Sequence, residues 1–319
     1  MFFDVDAQQR DFAASIDAAL AAADVPGAVR AWADGDTGPG RKVWARLADL
    51  GVTALAVPER FDGIDAHPVD LVVALERLGR WGVPGPVTES IAVAPLLLAE
   101  DERCAGLATG ELIATVALRP HVPRAVDADT AGLTLLADLD GQVSEARAGE
   151  QHESVDLSRR LFDVVSGDST WQADVARAYE FGALATAAQL VGAGQSLLHA
   201  AVDYAKQRAQ FGRVIGSYQA IKHKLADVHI ALELARPLVY GAALSLADRS
   251  PDTARDVSAA KASASDAALL AARSALQTHG AIGFTAEHDL SLWLLRVQAL
   301  RPAWGDPAAH RRRVLEALT

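Results

Sequence analysis

The stretch "YAKQRAQFGRVIGSYQ", residues 204–219, joins two long segments in which alanine and apolar residues recur at helical spacing. Arg208, Phe211 and Gln219 surround its glycine-containing link. A guanidinium presents a planar fork of donors that fits two phosphate oxygens, and a glutamine amide holds a further polar group. The structural alternative is that Lys206 and Arg208 offset the dipole at a helix C-terminus while Phe211 packs the turn.

The chain around this stretch reads as a helical bundle. Upstream, the segment from 169 to 207 opens with Ser169 and Gln172, a spacing typical of a capping box. Downstream, one long amphipathic segment follows directly, a second ends at Gly280, and residues 284–300 form a shorter fourth. Long helical segments with short links predict a C-terminal four-helix bundle over 169–319.

The two remaining regions differ from each other in their sequence patterns. Residues 1–110 show apolar residues at three-to-four spacing between Gly/Pro loops, which predicts an N-terminal helical domain. Residues 111–168 carry short β-branched or alternating segments, and "DLDGQ" predicts a hairpin turn. The predicted fold class is therefore mainly α with a small, truncated β domain in the middle of the chain.

Composition excludes several classes of function. The formal net charge is −11 and no basic stripe is present, which argues against a nucleic-acid partner. Cys104 is the only cysteine, so no intramolecular disulfide forms and a reducing compartment is expected. The first twelve residues lack the basic start of a signal peptide, and no apolar run predicts a membrane span. We expect a cytoplasmic protein without a metal site, because the histidines have no ligand spacing.

Of two glycine-containing motifs, one directly follows a helical segment and the other lies within one. "QTHGAIGF", residues 277–284, follows a long helix, and its glycines allow the backbone to approach a ligand or another helix closely. Gly280 is also an ordinary helix C-cap. "VGAG", residues 191–194, lies inside a helical pattern rather than after a strand, so it indicates close helix packing and not a dinucleotide site.

The sequence resembles the acyl-CoA dehydrogenase family over nearly its whole length. "YAKQRAQFGRVIGSYQAIKHKLAD" is similar to the flavin-binding signature of that family. "LADLGVTALAVPERFDGIDAHPVDLVVALERLGR" resembles its N-terminal helical segment, and "QTHGAIGFTAEHDLSLWLLR" its late Q-x-x-G-G-x-G-[FY] segment. The resemblance implies α,β-dehydrogenation of an acyl-CoA with FAD, in which a glutamate removes the α-proton and the flavin accepts hydride.

The resemblance also implies which residues hold FAD. Arg208 contacts the pyrophosphate, Phe211 lines the nucleotide and Gln219 hydrogen-bonds it. The backbone around Gln277, Gly280 and Ala281 packs on the nucleotide, and Ala281 stands where the family usually has glycine.

Two departures from the family concern catalysis. Trp304, followed by Gly305, stands where most members carry the catalytic glutamate, and an indole takes no proton at neutral pH. The alternative base of some members falls near Gly182, and Glu180 lies on a different face of that helix. The family's T-E-P-x-[AS]-G-S-D stretch, which touches the flavin ring, has no counterpart in the β region. We therefore expect no catalytic residue in this chain.

This combination resembles the short β-type subunit of actinobacterial heteromeric acyl-CoA dehydrogenases. Such subunits assemble as α2β2, complete the FAD site of a catalytic partner, and serve bulky acyl-CoA substrates such as steroid-derived thioesters. Two alternatives stay open. One is a self-sufficient flavoenzyme with Glu180, Asp289 or Asp306 as base, and the other is a flavin-free scaffold or CoA-binding protein.

Overall fold

The computed structural model of the chain describes residues 5–319. Residues 1–4, which begin the segment considered for a signal peptide, lie outside the described residues. The N-terminal region is helical, and Pro68 and the left-handed Gly82 bound its longest buried helix. Its helices are α1 (Ala7–Ala21), α2 (Val25–Ala33), α3 (Gly38–Asp49), α4 (Pro68–Trp81), a π-helical turn (Thr88–Val93), α5 (Ala94–Leu97) and α6 (Arg103–Ala108).

A five-stranded mixed sheet follows in the order β1-β3-β4-β5-β2. Its strands are β1 (Ala114–Arg119), β2 (Ala125–Val126), β3 (Leu133–Asp138), β4 (Gln142–His152) and β5 (Leu161–Gln172). β1 pairs parallel to β3, and the other neighbours pair antiparallel. The predicted hairpin at "DLDGQ" is confirmed, because β3 and β4 pair on either side of it.

The start of the bundle differs from the prediction. Ser169 and Gln172 lie in β5, where Gln172 pairs with Gln142 of β4, so the predicted capping box is wrong. The helix begins instead at Val175, and the side chain of Asp174 accepts a hydrogen bond from the backbone N–H of Arg177. The division of the chain into three domains stays a prediction.

The C-terminal region is the predicted helical bundle. Helices α7, α8 and α9 pack along one another, and α10 lies against α7 and α9. The bundle's elements are α7 (Val175–Gln207), a small hairpin of β6 (Ala209–Gln210) and β7 (Arg213–Val214), α8 (Gln219–Ala247), α9 (Thr253–His279), α10 (Leu290–Leu300) and α11 (Pro307–Glu316). The fold class is confirmed: mainly α, with a small mixed sheet between two helical regions.

Helix α7 also packs on α4 through glycines. A Cβ atom on Gly192 would lie 1.9 Å from the carbonyl oxygen of Glu76, and one on Gly79 would lie 2.2 Å from that of Gln189. Because both obstacles are backbone atoms, no side-chain rotation relieves the overlap. The interpretation of "VGAG" as a close-packing motif is therefore confirmed.

We expect Gly192→Ala to lower the free energy of unfolding by about 3 kcal/mol, because the two helices must separate to admit the methyl group. Gly194→Ala is the matched control on the same helix. Its Cβ would meet the end of the Leu232 side chain at 2.7 Å, and that side chain rotates away more cheaply. Equal losses for the two variants in urea denaturation would contradict the packing described here.

Helix α8 is the one described helix that by length and composition matches a membrane-crossing segment, and the bent pair of α1 and α2 passes the same test jointly. In the fold, α8 packs against α7 and α9 within the bundle. The predicted absence of a membrane span stays a prediction.

Candidate functional site

The link between α7 and α8 is a two-residue hairpin that presents an aromatic ring to solvent. Phe211 and Gly212 form its turn with φ angles of 53° and 81°, so both residues are left-handed, as in a type I′ turn. The Phe211 side chain is 93% exposed. A phenylalanine with this backbone and this exposure gains nothing from packing within the chain, which contradicts the interpretation that it packs the turn.

The ends of three bundle helices meet beside this hairpin. Tyr204, one turn before the end of α7, stacks on His279 at the end of α9, with ring centroids 4.4 Å apart. The amide of Ile215 donates to the carbonyl of Arg208 over 2.8 Å, which folds the start of α8 back towards the end of α7. Lys224 of α8 donates a hydrogen bond to the side chain of Gln277 on α9. The two motifs that lie far apart in sequence thus share one end of the bundle.

We call the six predicted FAD-contacting residues at this end the nucleotide surface. It is formed by Arg208, Phe211, Gln219, Gln277, Gly280 and Ala281, and all six are exposed. A ligand or a second polypeptide can therefore reach all six residues.

The nucleotide surface fits the adenosine diphosphate part of FAD. The start of α8 has no side-chain cap, so its first backbone N–H groups are available to an anion beside the guanidinium of Arg208. Gly280 adopts φ 66° and ψ −145°, a conformation almost confined to glycine, and nothing lies within 4 Å of the place of its missing Cβ. An open glycine backbone, free N–H groups, a guanidinium and an exposed aromatic ring are the groups that a dinucleotide needs.

Trp304 and Gly182 contact each other. These are the two positions at which the family carries its catalytic base. Trp304 is 1% exposed, and its ring occupies the space over Gly182, where a Cβ would lie 2.2 Å from the indole. Its Nε1 donates a 2.9 Å hydrogen bond to Oε1 of Glu89 in the π-helical turn. One indole therefore fills both positions, and a carboxyl group that the sequence analysis missed lies directly behind it.

A buried polar network holds the backbone that carries Trp304. Trp304 and Gly305 are left-handed, with φ 56° and 98°. Lys261, which is fully buried, donates to the carbonyl groups of Arg301 and Gly305 over 2.9 and 3.2 Å. His310 Nε2 lies 2.9 Å from the carbonyl oxygen of Trp304 and donates to it, because a carbonyl only accepts. Burial lowers the pKa of Lys261 to about 7 and that of His310 to about 4.

The buried His310 gives a pH prediction. Its pKa falls from 6.5 in the unfolded chain to about 4 in the fold, so between these values only the unfolded chain binds the proton. Stability is therefore lost as the pH falls through this range, by about 3 kcal/mol at about 1.4 kcal/mol per unit. We expect His310→Gln to remove this part of the acid sensitivity in denaturant titrations from pH 7 to 4. Parallel stability profiles for the two proteins would contradict the assignment.

The three acids considered as alternative bases each have a structural partner. Glu180 forms an ion pair with Arg313, and burial raises its pKa while Arg313 acts in the opposite direction. Asp289 pairs with Arg30 at 2.7 Å. Asp306 caps α11 by accepting from the backbone N–H of Ala309, which lowers its pKa.

A cavity of about 380 Å³ adjoins Trp304. Glu89 and Arg159 line it, and both are almost fully buried. Neither residue was a predicted site residue. For Glu89 the sequence contains a signal, since a lone carboxyl stands just before the apolar run "SIAVAPLLL".

Two other kinds of site, a metal centre and a reactive thiol, were sought in the part of the chain that the structure describes. No cluster of His, Cys, Asp or Glu with metal-binding geometry occurs among residues 5–319. Cys104 is buried, and burial raises the pKa of its thiol to about 11, which is typical of a packed thiol rather than a nucleophile.

Comparison with known proteins establishes the class. The acyl-CoA dehydrogenase N-terminal domain matches residues 6–100, and the acyl-CoA dehydrogenase C-terminal domain matches residues 173–319. The chain belongs to the acyl-CoA dehydrogenase family. It is 32% identical over 293 residues to the acyl-CoA dehydrogenase IpdE2 of Mycolicibacterium smegmatis, covering 91% of this chain and 92% of that protein.

Solved structures agree on the fold. The ChsE4–ChsE5 complex from Mycobacterium tuberculosis matches with a TM-score of 0.85 and 21% identity, covering 100% of this chain and 99% of that one. The Tcur3481–Tcur3483 steroid ACAD matches with a TM-score of 0.84 and 22% identity, covering 98% and 97%. At these identities the likeness concerns the fold alone.

Proposed function

We propose that this chain is the FAD-completing subunit of a heteromeric acyl-CoA dehydrogenase and carries no catalytic base of its own. The observation that carries the proposal is the contact between Trp304 and Gly182, which occupies both base positions with one buried indole. The partner supplies the proton-abstracting carboxylate and the pocket for the flavin ring. The cytoplasm is the proposed location.

The nucleotide surface supports the cofactor part of the proposal. FAD supplies the hydride acceptor when it is bound. In this chain, Arg208 and the first N–H groups of α8 would neutralise the pyrophosphate, Gln219 would hydrogen-bond the nucleotide, and Phe211 and the backbone around Gln277 would line it. All of these groups face solvent, which supports a site whose second half comes from another polypeptide.

Exposed apolar side chains support the partner. Ile230, Leu234 and Leu238 recur every four residues along α8 and are 55%, 68% and 43% exposed, so they form one stripe on the outer face of the bundle. A wider apolar cavity of about 650 Å³ lies between α2, α9 and α10, and it includes Gly283 and the exposed Phe284 of "QTHGAIGF". Apolar surface of this extent is typical of protein–protein contacts.

The assembly is an α2β2 heterotetramer that dehydrogenates a bulky, steroid-derived acyl-CoA. Support for this comes from the relatives: one structural match is a ChsE4–ChsE5 complex, and another is described as a steroid ACAD. Both are likenesses of fold, and the proposal extends them to this chain.

Co-expression with an acyl-CoA dehydrogenase subunit that carries the family's catalytic glutamate tests the proposal. We expect a heteromer that contains two copies of each chain and bound FAD. We expect it to oxidise a steroid side-chain acyl-CoA faster than the short butyryl-CoA. The proposal would be contradicted if this chain formed a homo-oligomer that binds FAD but does not bind the co-expressed subunit.

One observation favours the self-sufficient flavoenzyme as a second candidate. Glu89 is a buried carboxyl beside the family's base position, and its Oε2 has no partner among the described residues. We rank this candidate second because the indole of Trp304 is bonded to the other oxygen of the same carboxyl group. If the chain oxidised an acyl-CoA without a partner and Glu89→Gln abolished this turnover, the self-sufficient flavoenzyme would rank first.

A further inference from the structure

A cavity of about 480 Å³ lies where α7 begins and α8 ends. Its wall joins the ends of these two helices to the segments 55–58, 65–71 and 95–99 of the N-terminal region. Because an α-helix rises about 1.5 Å per residue, Arg177 at this cavity lies roughly 45 Å along α7 from Arg208 of the nucleotide surface. The apolar part of the wall is formed by Leu55, Pro58, Leu71, Pro95, Leu96 and Phe181.

Arg177 has free hydrogen-bond donors at this wall. The residue is half-buried, its guanidinium lies over the ring of Phe181 at 5.1 Å, and its Nη1 donates to the carbonyl oxygen of Leu246 over 3.0 Å. Its Nε and Nη2 have no hydrogen-bond partner among residues 5–319, and neither nitrogen is buried. The ring contact and the single bond therefore fix the guanidinium plane and leave its Nε–Nη2 side available to a ligand.

Arg249 lies beside this guanidinium. Its backbone N–H donates to the same carbonyl oxygen of Leu246 over 3.4 Å, so a single acceptor atom separates the guanidinium of Arg177 from the backbone of Arg249. Arg249 lines the cavity, is exposed, and forms no ion pair in the part of the chain that the structure describes. Its backbone is left-handed, with φ 48°, at the position after a helix end where glycine is usual. The fold thus places two arginines at one wall of the cavity.

The other ionisable groups of the wall do not pair with these arginines. Burial lowers the pKa of Arg177, the charge of Arg249 acts in the same direction, and Asp174 acts in the opposite direction. The carboxylate of Asp174 accepts from the backbone N–H of Arg177 as the cap of α7, and Asp65 is exposed. Neither acid forms an ion pair with either arginine among the described residues. His67 accepts a backbone N–H on Nδ1 and so carries its proton on Nε2. Neighbouring like charges are unfavourable, so an anion that contacts both arginines gains affinity from them.

We infer that this cavity binds a phosphate monoester with a small apolar body, and that its phosphate lies between Arg177 and Arg249. A phosphate group has three free oxygens, so it accepts from the Nε–Nη2 side of one guanidinium and from the second guanidinium at the same time. A carboxylate has two oxygens, which a single guanidinium fork occupies. The charge of a phosphate monoester, close to −2 at neutral pH, balances the two arginines. The apolar body lies against the leucine and proline side chains, and the volume is within the range of small-molecule sites. This ligand requires neither flavin nor the partner subunit.

The test compares three probes on the purified full chain by calorimetric titration. Phenyl phosphate carries the phosphate and an apolar body, benzoate carries a carboxylate instead of the phosphate, and inorganic phosphate lacks the body. We expect phenyl phosphate to bind at least about tenfold more tightly than either comparison probe. Benzoate loses the hydrogen bonds to the second guanidinium, and inorganic phosphate loses the burial of the ring. Equal affinities for the three probes, or no binding of phenyl phosphate, overturn the inference.

Variants locate the phosphate. We expect Arg249→Gln to weaken phenyl phosphate at least about tenfold and to leave benzoate within about twofold, because a carboxylate occupies only the fork of Arg177. Arg46→Gln, at an exposed arginine of α3 outside the cavity, is the matched control and changes neither affinity. Circular dichroism shows that the variants fold, and Arg177→Gln, which weakens both probes, replaces Arg249→Gln if that variant does not.

Two results of these titrations contradict the location of the phosphate. One is an undiminished affinity for phenyl phosphate in folded Arg249→Gln. The other is a loss of phenyl phosphate binding in Arg208→Gln, which would place the phosphate on the nucleotide surface. The second result would leave the proposed FAD-binding role of that surface intact, so the two proposals fail separately.

Discussion

Replacing Arg208 by glutamine lowers the affinity of the assembled heteromer for FAD about 10- to 100-fold, because a hydrogen bond to a charged group contributes about 1.5–3 kcal/mol. The guanidinium stands at the end of α7, exposed, beside the uncapped start of α8. Glutamine keeps a donor there but removes the charge that the pyrophosphate needs. The measurement is the dissociation constant of FAD, obtained by fluorescence titration of the deflavinated complex.

Lys206→Gln is the matched control for this prediction. Lys206 is also an exposed cation in the last turn of α7, but it pairs with Asp203 at 3.6 Å and is not part of the nucleotide surface. We expect its replacement to leave the affinity within about twofold, since an isolated surface charge contributes little. If both variants weaken FAD equally, the effect is one of general charge, and the assigned role of Arg208 is wrong.

Replacing Trp304 by alanine lowers the free energy of unfolding by about 3–5 kcal/mol, because it empties the space over Gly182. Trp304→Phe keeps most of the apolar contact and loses the hydrogen bond to Glu89, so it costs about 1–3 kcal/mol. Urea denaturation of the two variants measures both values.

A double variant separates the two contributions of Trp304. Adding Glu89→Leu to Trp304→Phe removes the unpaired carboxyl group, so part of the lost stability returns, and the cycle of variants measures the coupling. In the assembled heteromer we expect Trp304→Phe to keep acyl-CoA turnover, since the indole is not a catalytic group. A loss below about 1 kcal/mol for Trp304→Ala would contradict a packed core position.

The sequence predicts the parts of the fold that depend on local pattern. The long bundle helices follow from their period, and the nucleotide surface follows from two short motifs whose residues the fold exposes at one end of the bundle. The start of α7 was misplaced because the S-x-x-Q pattern also suits an alternating strand. Pairing with β4 up to Gln172, and the 2.8 Å hydrogen bond from Trp171 to the carbonyl of Leu97, decide in favour of the strand.

The buried site depends on contacts that no local pattern contains. Glu89 and Trp304 are 215 residues apart in sequence, and Lys261 reaches the carbonyl of Gly305 across 44 residues. The sequence analysis identified Trp304 only as a missing base, through the family resemblance. That its indole packs on Gly182 and leaves one oxygen of Glu89 unpaired follows only from the three-dimensional arrangement.

Acyl-CoA oxidation by the purified chain, supplied with FAD and an artificial electron acceptor but no partner, tests the absence of a base most directly. The account predicts no turnover above the protein-free rate with any acyl-CoA, and turnover once the partner subunit is added. Partner-independent oxidation that disappears on replacing one acidic residue of this chain would contradict it.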